Sequence, residues 1–390
     1  ATYFNFTEDR LVQIASKAKE CGVELFVLDD GWFGQRNDDH AGLGDWVANP
    51  ERLPNGIKGL SERIEAMGIK FGLWFEPEMT NKDSDLYRAH PDWILHTPGR
   101  NASHGRYQYV LDFSRKEVVE YIYEMMAKIL SEAIVSYIKW DMNRSLMDVF
   151  SRGTKDQGRV MYDYVIGLYD FLERIVTRYP DLLIEGCSGG GGRFDAGMMY
   201  YTPQIWCSDN TDALDRLQIQ YGTSFGYPIS AVGSHVSAVP NHQTGRITSL
   251  HTRGVVAMAG TFGYELNLGK LSEEEKEEIR SQVEEYRKFA PLIQTGLYYR
   301  LSDPSKEEYA AWAFVSEDQK EVLLNVVMQE IHGNMTVNYV NLQGLKCSAV
   351  YRDTETGKTY NGAALMEAGI PMPVEMGEFK AYQMHLVGEE

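Results

Sequence analysis

Asp141 closes the run Val135-Ser136-Tyr137-Ile138-Lys139-Trp140-Asp141, a short apolar stretch that stops at a lysine, an aromatic and a carboxylate. Asp209 closes a second run of the same kind, Gln204-Ile205-Trp206-Cys207-Ser208-Asp209. Each acid ends a strand-like segment with a tryptophan close by. Two carboxyl groups so placed suit cleavage of a sugar linkage. One must be charged to attack or stabilise, and the other must hold a proton to deliver.

The pair belongs to a wider series. Asp29 and Asp30 follow Leu28; Trp74, Glu76 and Glu78 end another apolar run; Glu185 and Cys187 end a third. One strand-end acid is commonly a helix cap. Polar groups at five successive strand ends are harder to assign to capping, and parallel barrels gather their active sites there. Lys139 lies two residues before Asp141, on the same strand face, where its charge favours an ionised Asp141. Asn143, two residues beyond, is expected to bind substrate or to orient Asp141. Trp74 is expected to pack against an apolar sugar face, with barrel-core packing as the bland alternative. Asp212 precedes Ala213 at a helix start, so N-capping is its expected task. Glu76 and Glu78 are read as structural, without a catalytic role.

These residues need a scaffold that aligns strand ends. Strand-like runs fall at Val23–Leu28, Ile69–Phe75, Val135–Trp140, Leu182–Glu185, Gln204–Cys207, Ile229–Val232 and Gly260–Leu266. Between them lie helical patterns near Glu8–Glu20, Gly59–Met67, Arg115–Ser131, Gly158–Tyr179, Ala213–Phe225, Arg246–Met258 and Glu273–Phe289. Ser272 with Glu275, and Ser114 with Glu117, read as capping boxes, and Pro291 as a helix stop. Short apolar strands alternating with helices predict a parallel sheet covered on both faces. The fold class expected is α/β, a (β/α)8 TIM-type barrel. Seven strand–helix units are visible, one short of closure. The barrel is therefore read as lacking its first strand, of which Thr2–Phe6 could be a remnant.

After Gly296 the helices give way to runs at Tyr309–Val315, Glu321–Met328, Asn334–Val340, Ser348–Arg352 and Ala381–Leu386, with turn signals at Glu355–Lys358 and Asn361-Gly362. This predicts a small antiparallel β-sandwich domain. The domains expected are thus 1–295, a catalytic barrel, and 296–390, a C-terminal β domain.

The net charge of −18 argues against nucleic acid or anionic membrane as partner and is compatible with a neutral carbohydrate. No apolar run reaches the length of a membrane span. Cys21, Cys187, Cys207 and Cys347 show neither metal spacing nor a disulfide framework, which suits reduced thiols in a cytoplasmic protein. No metal site and no cofactor are expected: the histidines are scattered, and His235 with His242 lacks a carboxylate cluster at ligand spacing. No signal peptide is visible, and with a start at Ala1 rather than at a methionine the loss of an upstream portion is an expectation. Sequons at Asn5, Asn101, Asn143 and Asn334 are read as chance. Cys187–Gly192 (Cys-Ser-Gly-Gly-Gly-Gly) lacks the ending of a phosphate loop, so its glycines are read as permitting close approach of backbone to ligand.

The segments Leu28–Gly34, Lys70–Met79, Lys139–Arg144, Cys187–Asp195 and Trp206–Ala213 resemble the α-galactosidases of glycoside hydrolase family 36. The likeness runs through the barrel in order, and Lys-Trp-Asp and Ser-Asp-x-x-Asp are its specific elements. It implies a retaining hydrolase that removes terminal α-linked galactose by double displacement through a covalent galactosyl-enzyme. Asp141 is then the nucleophile and Asp209 the acid/base, with their carboxyl groups ~5–5.5 Å apart. Asp29 and Asp30 would grip the 4- and 6-hydroxyls, Arg106 would bind substrate, and Cys187 with the N–H groups of Gly189 or Gly190 would contact the 2-hydroxyl. The resemblance also implies homo-oligomers. Two alternatives remain: galactosyl transfer through the same intermediate, and a sugar-binding fragment with little turnover, because the family's N-terminal β domain is not present.

Overall fold

A computed structural model describes residues 2–334 and 336–389; the start at Ala1 lies outside them. Two compact units are present, Ala1–Trp206 with Asn267–Lys270, and Cys207–Leu266 with Leu271–Glu390.

In the first unit five parallel strands pair in chain order: Leu25–Leu28, Lys70–Phe75, Tyr137–Trp140, Leu183–Gly186 and Gln204–Trp206. Their register decides which side chains share a face. Trp74 pairs with Lys139, Lys139 with Glu185, and Glu185 with Gln204, so these four line one side of the sheet. The neighbouring row, Phe75, Trp140, Gly186 and Ile205, faces the other way. Trp140 there packs edge-on against Phe171 of the helix Val160–Arg178, with ring centroids 5.2 Å apart. The helix Lys116–Glu132 buries Val118, Val119, Ile122, Tyr123, Met126 and Leu130, a three-and-four spacing that makes one apolar stripe. At Gly167 a Cβ would lie 1.9 Å from the Phe113 carbonyl oxygen, so only glycine allows that approach.

In the second unit Val232–Ser237 pairs in parallel with Thr261–Glu265. Beyond them an antiparallel sheet contains, in spatial order, Leu297–Arg300, Tyr309–Val315, Glu321–Met328, Ala381–Glu389, Val350–Asp353 and Thr359–Asn361. The fold class is the expected one: a parallel α/β architecture of TIM-barrel type, then an antiparallel β domain.

Several local expectations are corrected. Thr2–Phe6 forms no strand. Ile229–Ala231 is a 3-10 turn, and the strand follows at Val232–Ser237. That strand carries Ser234, His235 and Ser237, so no apolar run marks it. Ser114 does not cap the helix near it; its hydroxyl donates to Asp112 at 2.5 Å, and Arg115 takes the N-cap position without a side-chain bond. The Ser272–Glu275 box is present, yet Pro291 lies inside a helix that runs on to Thr295. Asn361 caps a short helix, Gly362–Glu367, through bonds to the N–H groups of Ala363 and Ala364, so Asn-Gly there is a helix start rather than a hairpin turn.

Candidate active site

The row of side chains on the inner sheet face ends at Asp141, whose carboxylate is 6% exposed. Four N–H groups point at it. Oδ1 accepts from the backbone of Met142 at 2.8 Å and of Gly189 at 3.3 Å. Oδ2 accepts from Asn143 Nδ2 at 2.8 Å and from Trp74 Nε1 at 3.2 Å. Such a cradle suits an acceptor-only group and holds both oxygens in one orientation.

Each donor has a local reason to be there. Trp74 sits level with Lys139, one strand over, and is wedged among Phe33 and Trp46 at centroid distances of 6.1 and 6.2 Å. It is only 2% exposed, so here its ring fills the core while its indole N–H serves Asp141. Gly189 has φ +53, and that left-handed turn aims its N–H at the carboxylate. Ser188 anchors the turn by donating to the Met142 carbonyl at 2.8 Å. Asn143 is the hub. Its Nδ2 serves Asp141, its backbone N–H donates to Glu76 Oε1 at 2.5 Å, and its Oδ1 accepts from Arg106.

Lys139 pairs with Asp29 rather than Asp141, Nζ to Oδ2 at 2.8 Å, and lies 5.8 Å from the centre of the Trp206 ring. Burial works against its charge, but Asp29, Cys187, Asp141 and Glu185 outweigh it and hold the ammonium well above its usual range. Asp30 faces a different cation, the guanidinium of Arg36, at 2.7 Å. Burial nonetheless raises the Asp30 carboxyl above the ordinary range, more than the arginine lowers it. The two adjacent acids are thus each oriented by a cation, and Asp29, with 56% of its side chain exposed, is the more open of the two. Cys187 is buried, and its N–H donates to the Trp140 carbonyl at 2.7 Å. The N–H of Ser188 reaches the Gly190 carbonyl at 2.7 Å, while Gly190 itself takes φ +84. Arg106 is exposed at φ +49 and touches Asn143.

Sequence reasoning missed two residues that touch these acids, Arg36 and Gln108. Arg36 came from a loop of no periodicity. Gln108 reaches Glu76 because Met79–Asn81 pairs antiparallel with Gln108–Val110, a hairpin without an alternating pattern. Glu76, equally buried, was grouped with Glu78, but the two differ. Glu78 is enclosed by Arg193, with two bonds of 2.8 Å, Tyr164 at 2.6 Å and Trp140 Nε1 at 3.0 Å. Burial would raise its carboxyl, and Arg193 more than reverses that. Among the described residues Glu76 has no such partner, and burial first, then Asp141, push it up to about 8.

In the second unit Asp209 is exposed, at the start of a loop tied by Asn210. Asp212 caps the helix Ala213–Thr223 through the N–H groups of Leu214 and Asp215 at 3.0 and 3.1 Å, and it also pairs with Arg246. Its capping role is as expected. Among the described residues no group of three or more His, Cys, Asp or Glu is placed to hold a metal ion, and no helix is long and apolar enough to cross a membrane.

A parallel sheet of barrel type, with a cradled carboxylate and cation-oriented acids at its strand ends, is the architecture of a carbohydrate-active barrel. The chain belongs to glycoside hydrolase family 36: residues 1–296 match the Melibiase family model, and residues 309–386 match that of the glycosyl hydrolase family 36 C-terminal domain. It is 56% identical over 383 residues to the bifunctional alpha-galactosidase/sucrose kinase AgaSK of Mediterraneibacter gnavus, covering 98% of this chain and 40% of that protein. It is 50% identical over 381 residues to alpha-galactosidase AgaA of Geobacillus stearothermophilus, covering 97% of this chain and 52% of the relative. The crystal structure of AgaA superposes with a TM-score of 0.98 at 48% identity, over 100% of this chain and 54% of that one. A variant of AgaA has been crystallised in complex with raffinose, with the same TM-score. The chain spans about half the length of these relatives or less.

Proposed function

We propose that this chain carries the catalytic barrel, residues 1–295, and the C-terminal β domain, residues 296–390, of a retaining α-galactosidase. The observation that carries the reading is Asp141, held at a strand end by four N–H donors with both oxygens fixed. Similarity to enzymes named alpha-galactosidases over nearly the whole chain supports the choice of sugar. The raffinose bound by the AgaA variant suggests the substrate class, terminal α-galactose on small oligosaccharides.

In this reading Asp141 attacks the anomeric carbon while Asp209 gives its proton to the leaving oxygen, so an ester forms and the glycosidic bond breaks. Water then gives a proton to Asp209 and its oxygen to the same carbon, the ester bond breaks, and galactose leaves with its configuration retained. Lys139, Asp29, Asp30 and Arg106 orient hydroxyls. Asn143 and Trp74 hold Asp141, and Cys187 with the Gly189–Gly190 backbone crowds the 2-position. A cytoplasmic location and self-association are part of the same proposal.

The test is hydrolysis of a chromogenic α-galactoside by this chain and by Asp141→Asn. A fall of several orders of magnitude is expected on losing the covalent route. Proton NMR of the first-formed sugar should show the α-anomer. Undiminished activity in Asp141→Asn overturns the nucleophile assignment, and a first-formed β-anomer overturns retention. Sugar binding with no turnover in the wild type would leave a binding module instead.

A further inference from the structure

Glu76 is a fully buried acid that the mechanism above does not use. It ends the strand Lys70–Phe75, two residues beyond Trp74. The N–H of Asn143 donates to its Oε1 at 2.5 Å, and Gln108 Nε2 donates to its Oε2 at 3.0 Å. Among the described residues no cation pairs with it. The nearby cations are committed elsewhere: Arg36 to Asp30, Lys139 to Asp29, Arg106 to the Asn143 side chain, and Arg144 to the backbone carbonyl of Gln108. The acids that act on it are Asp141 and Asp30. A buried carboxylate facing two like charges without a counter-ion is a costly arrangement, and a neutral carboxyl is not.

The neighbouring amide fits a neutral carboxyl as well as a charged one. Gln108 Oε1 is buried and has no hydrogen-bond partner among the described residues. Turning the Gln108 amide about its last bond brings this acceptor to the Oε2 of a protonated Glu76, since amide O and N exchange places. Glu78, buried just as deeply on the same segment, is served by Arg193, so burial alone does not decide the state.

We propose that Glu76 is a positioning residue that acts in its neutral form: it clamps the Asn143 backbone, and through the Asn143 amide it sets the Asp141 carboxylate. This inference rests on Asp141 being the nucleophile. Burial together with Asp141 pushes the Glu76 carboxyl up to about 8. Ionisation above that value would leave the Asn143 N–H bonded but set a second negative charge behind Asp141, which repels the carboxylate that the clamp holds in place.

The experiment is the pH profile of kcat/KM for wild type, Glu76→Gln and Glu76→Ala on an aryl α-galactoside whose leaving group departs without a proton from Asp209, so that the alkaline limb does not report that acid. Wild type should lose activity as pH rises through about 8. Glu76→Gln, a permanently neutral mimic, should move that alkaline limb up by at least about one pH unit. Glu76→Ala should lower kcat about tenfold more than Glu76→Gln does, with KM little changed, as expected for losing a hydrogen bond that orients a charged group. An alkaline limb unmoved in Glu76→Gln overturns the proposal. Infrared difference spectra of the wild type against Glu76→Gln read the same group without turnover, the variant separating its band from those of Asp30 and Asp209. A protonated-carboxyl band present at about pH 6 and gone at high pH is expected, and its absence at about pH 6 overturns the proposal. If wild type and Asp141→Asn are equally inert while that band is present, the hydrolase reading has failed and the protonation of Glu76 stands.

Discussion

Trp74 Nε1 lies 3.2 Å from Asp141 Oδ2, a bond between neighbouring strands that converts a core tryptophan into a support for the central carboxylate. The ring is packed against Phe33 and Trp46, so the N–H cannot swing away. Trp74→Phe keeps the packing and deletes the donor. A drop of about ten- to a hundredfold in kcat/KM is expected, the range for a hydrogen bond to a charged group, with a melting temperature close to wild type.

Gly189 tests the other side of the cradle. A Cβ there would meet only Asn143 Oδ1, at 3.8 Å, so space is not the obstacle. The obstacle is φ +53, which costs a residue with a side chain about 1–2 kcal/mol. Gly189→Ala should lose about that much stability in urea unfolding, and activity should fall as the N–H turns from Asp141.

Glu78 and Arg193 form a buried ion pair with two 2.8 Å bonds. Removing one partner leaves the other charge buried. Arg193→Met is expected to destabilise the protein by about 3–5 kcal/mol, measured by denaturant unfolding at neutral pH. The double variant Arg193→Met with Glu78→Gln should recover part of that loss.

Glu76 predicts a pH slope in stability. Its folded-state carboxyl is raised to about 8, above the ordinary glutamate range, so the native state holds a proton that the unfolded chain releases. The associated stability is full in acid and is lost as pH rises through about 8. Melting curves of wild type should therefore fall relative to Glu76→Gln across that interval and run parallel to them at higher pH.

Asp212→Ala should cost about 1–2 kcal/mol as a lost helix cap, with a further loss because Arg246 is left without this partner. Aryl galactosides should still be turned over, which separates Asp212 from Asp209.

Most barrel strands and helices were readable because burial on both faces requires apolar runs, and helix caps announce themselves. Glu8–Glu20 begins and ends where the pattern places it. Val232–Ser237 was hidden because its serines and histidine break the run, and their burial is satisfied by tertiary partners such as Gln220, which accepts from Ser234 at 2.7 Å. The positions of Asp29, Asp30, Lys139, Asp141, Asn143 and Gly189 along their segments were legible, since strand ends and glycine turns are local features. Their partnerships were not. Lys139 reads from sequence as a neighbour of Asp141, and that acid does act on it, yet its direct ion pair is with Asp29, 110 residues away along the chain.

Sequence by itself determined which residue types stand at which strand ends, and so the kind of chemistry available, because side-chain alternation and capping depend on near neighbours. Tertiary structure decided which carboxyl group receives a cation and which receives none. Glu76 and Glu78 are the same residue type two positions apart; Arg193 reaches Glu78, no guanidinium among the described residues reaches Glu76, and in a buried site that difference controls where the proton resides.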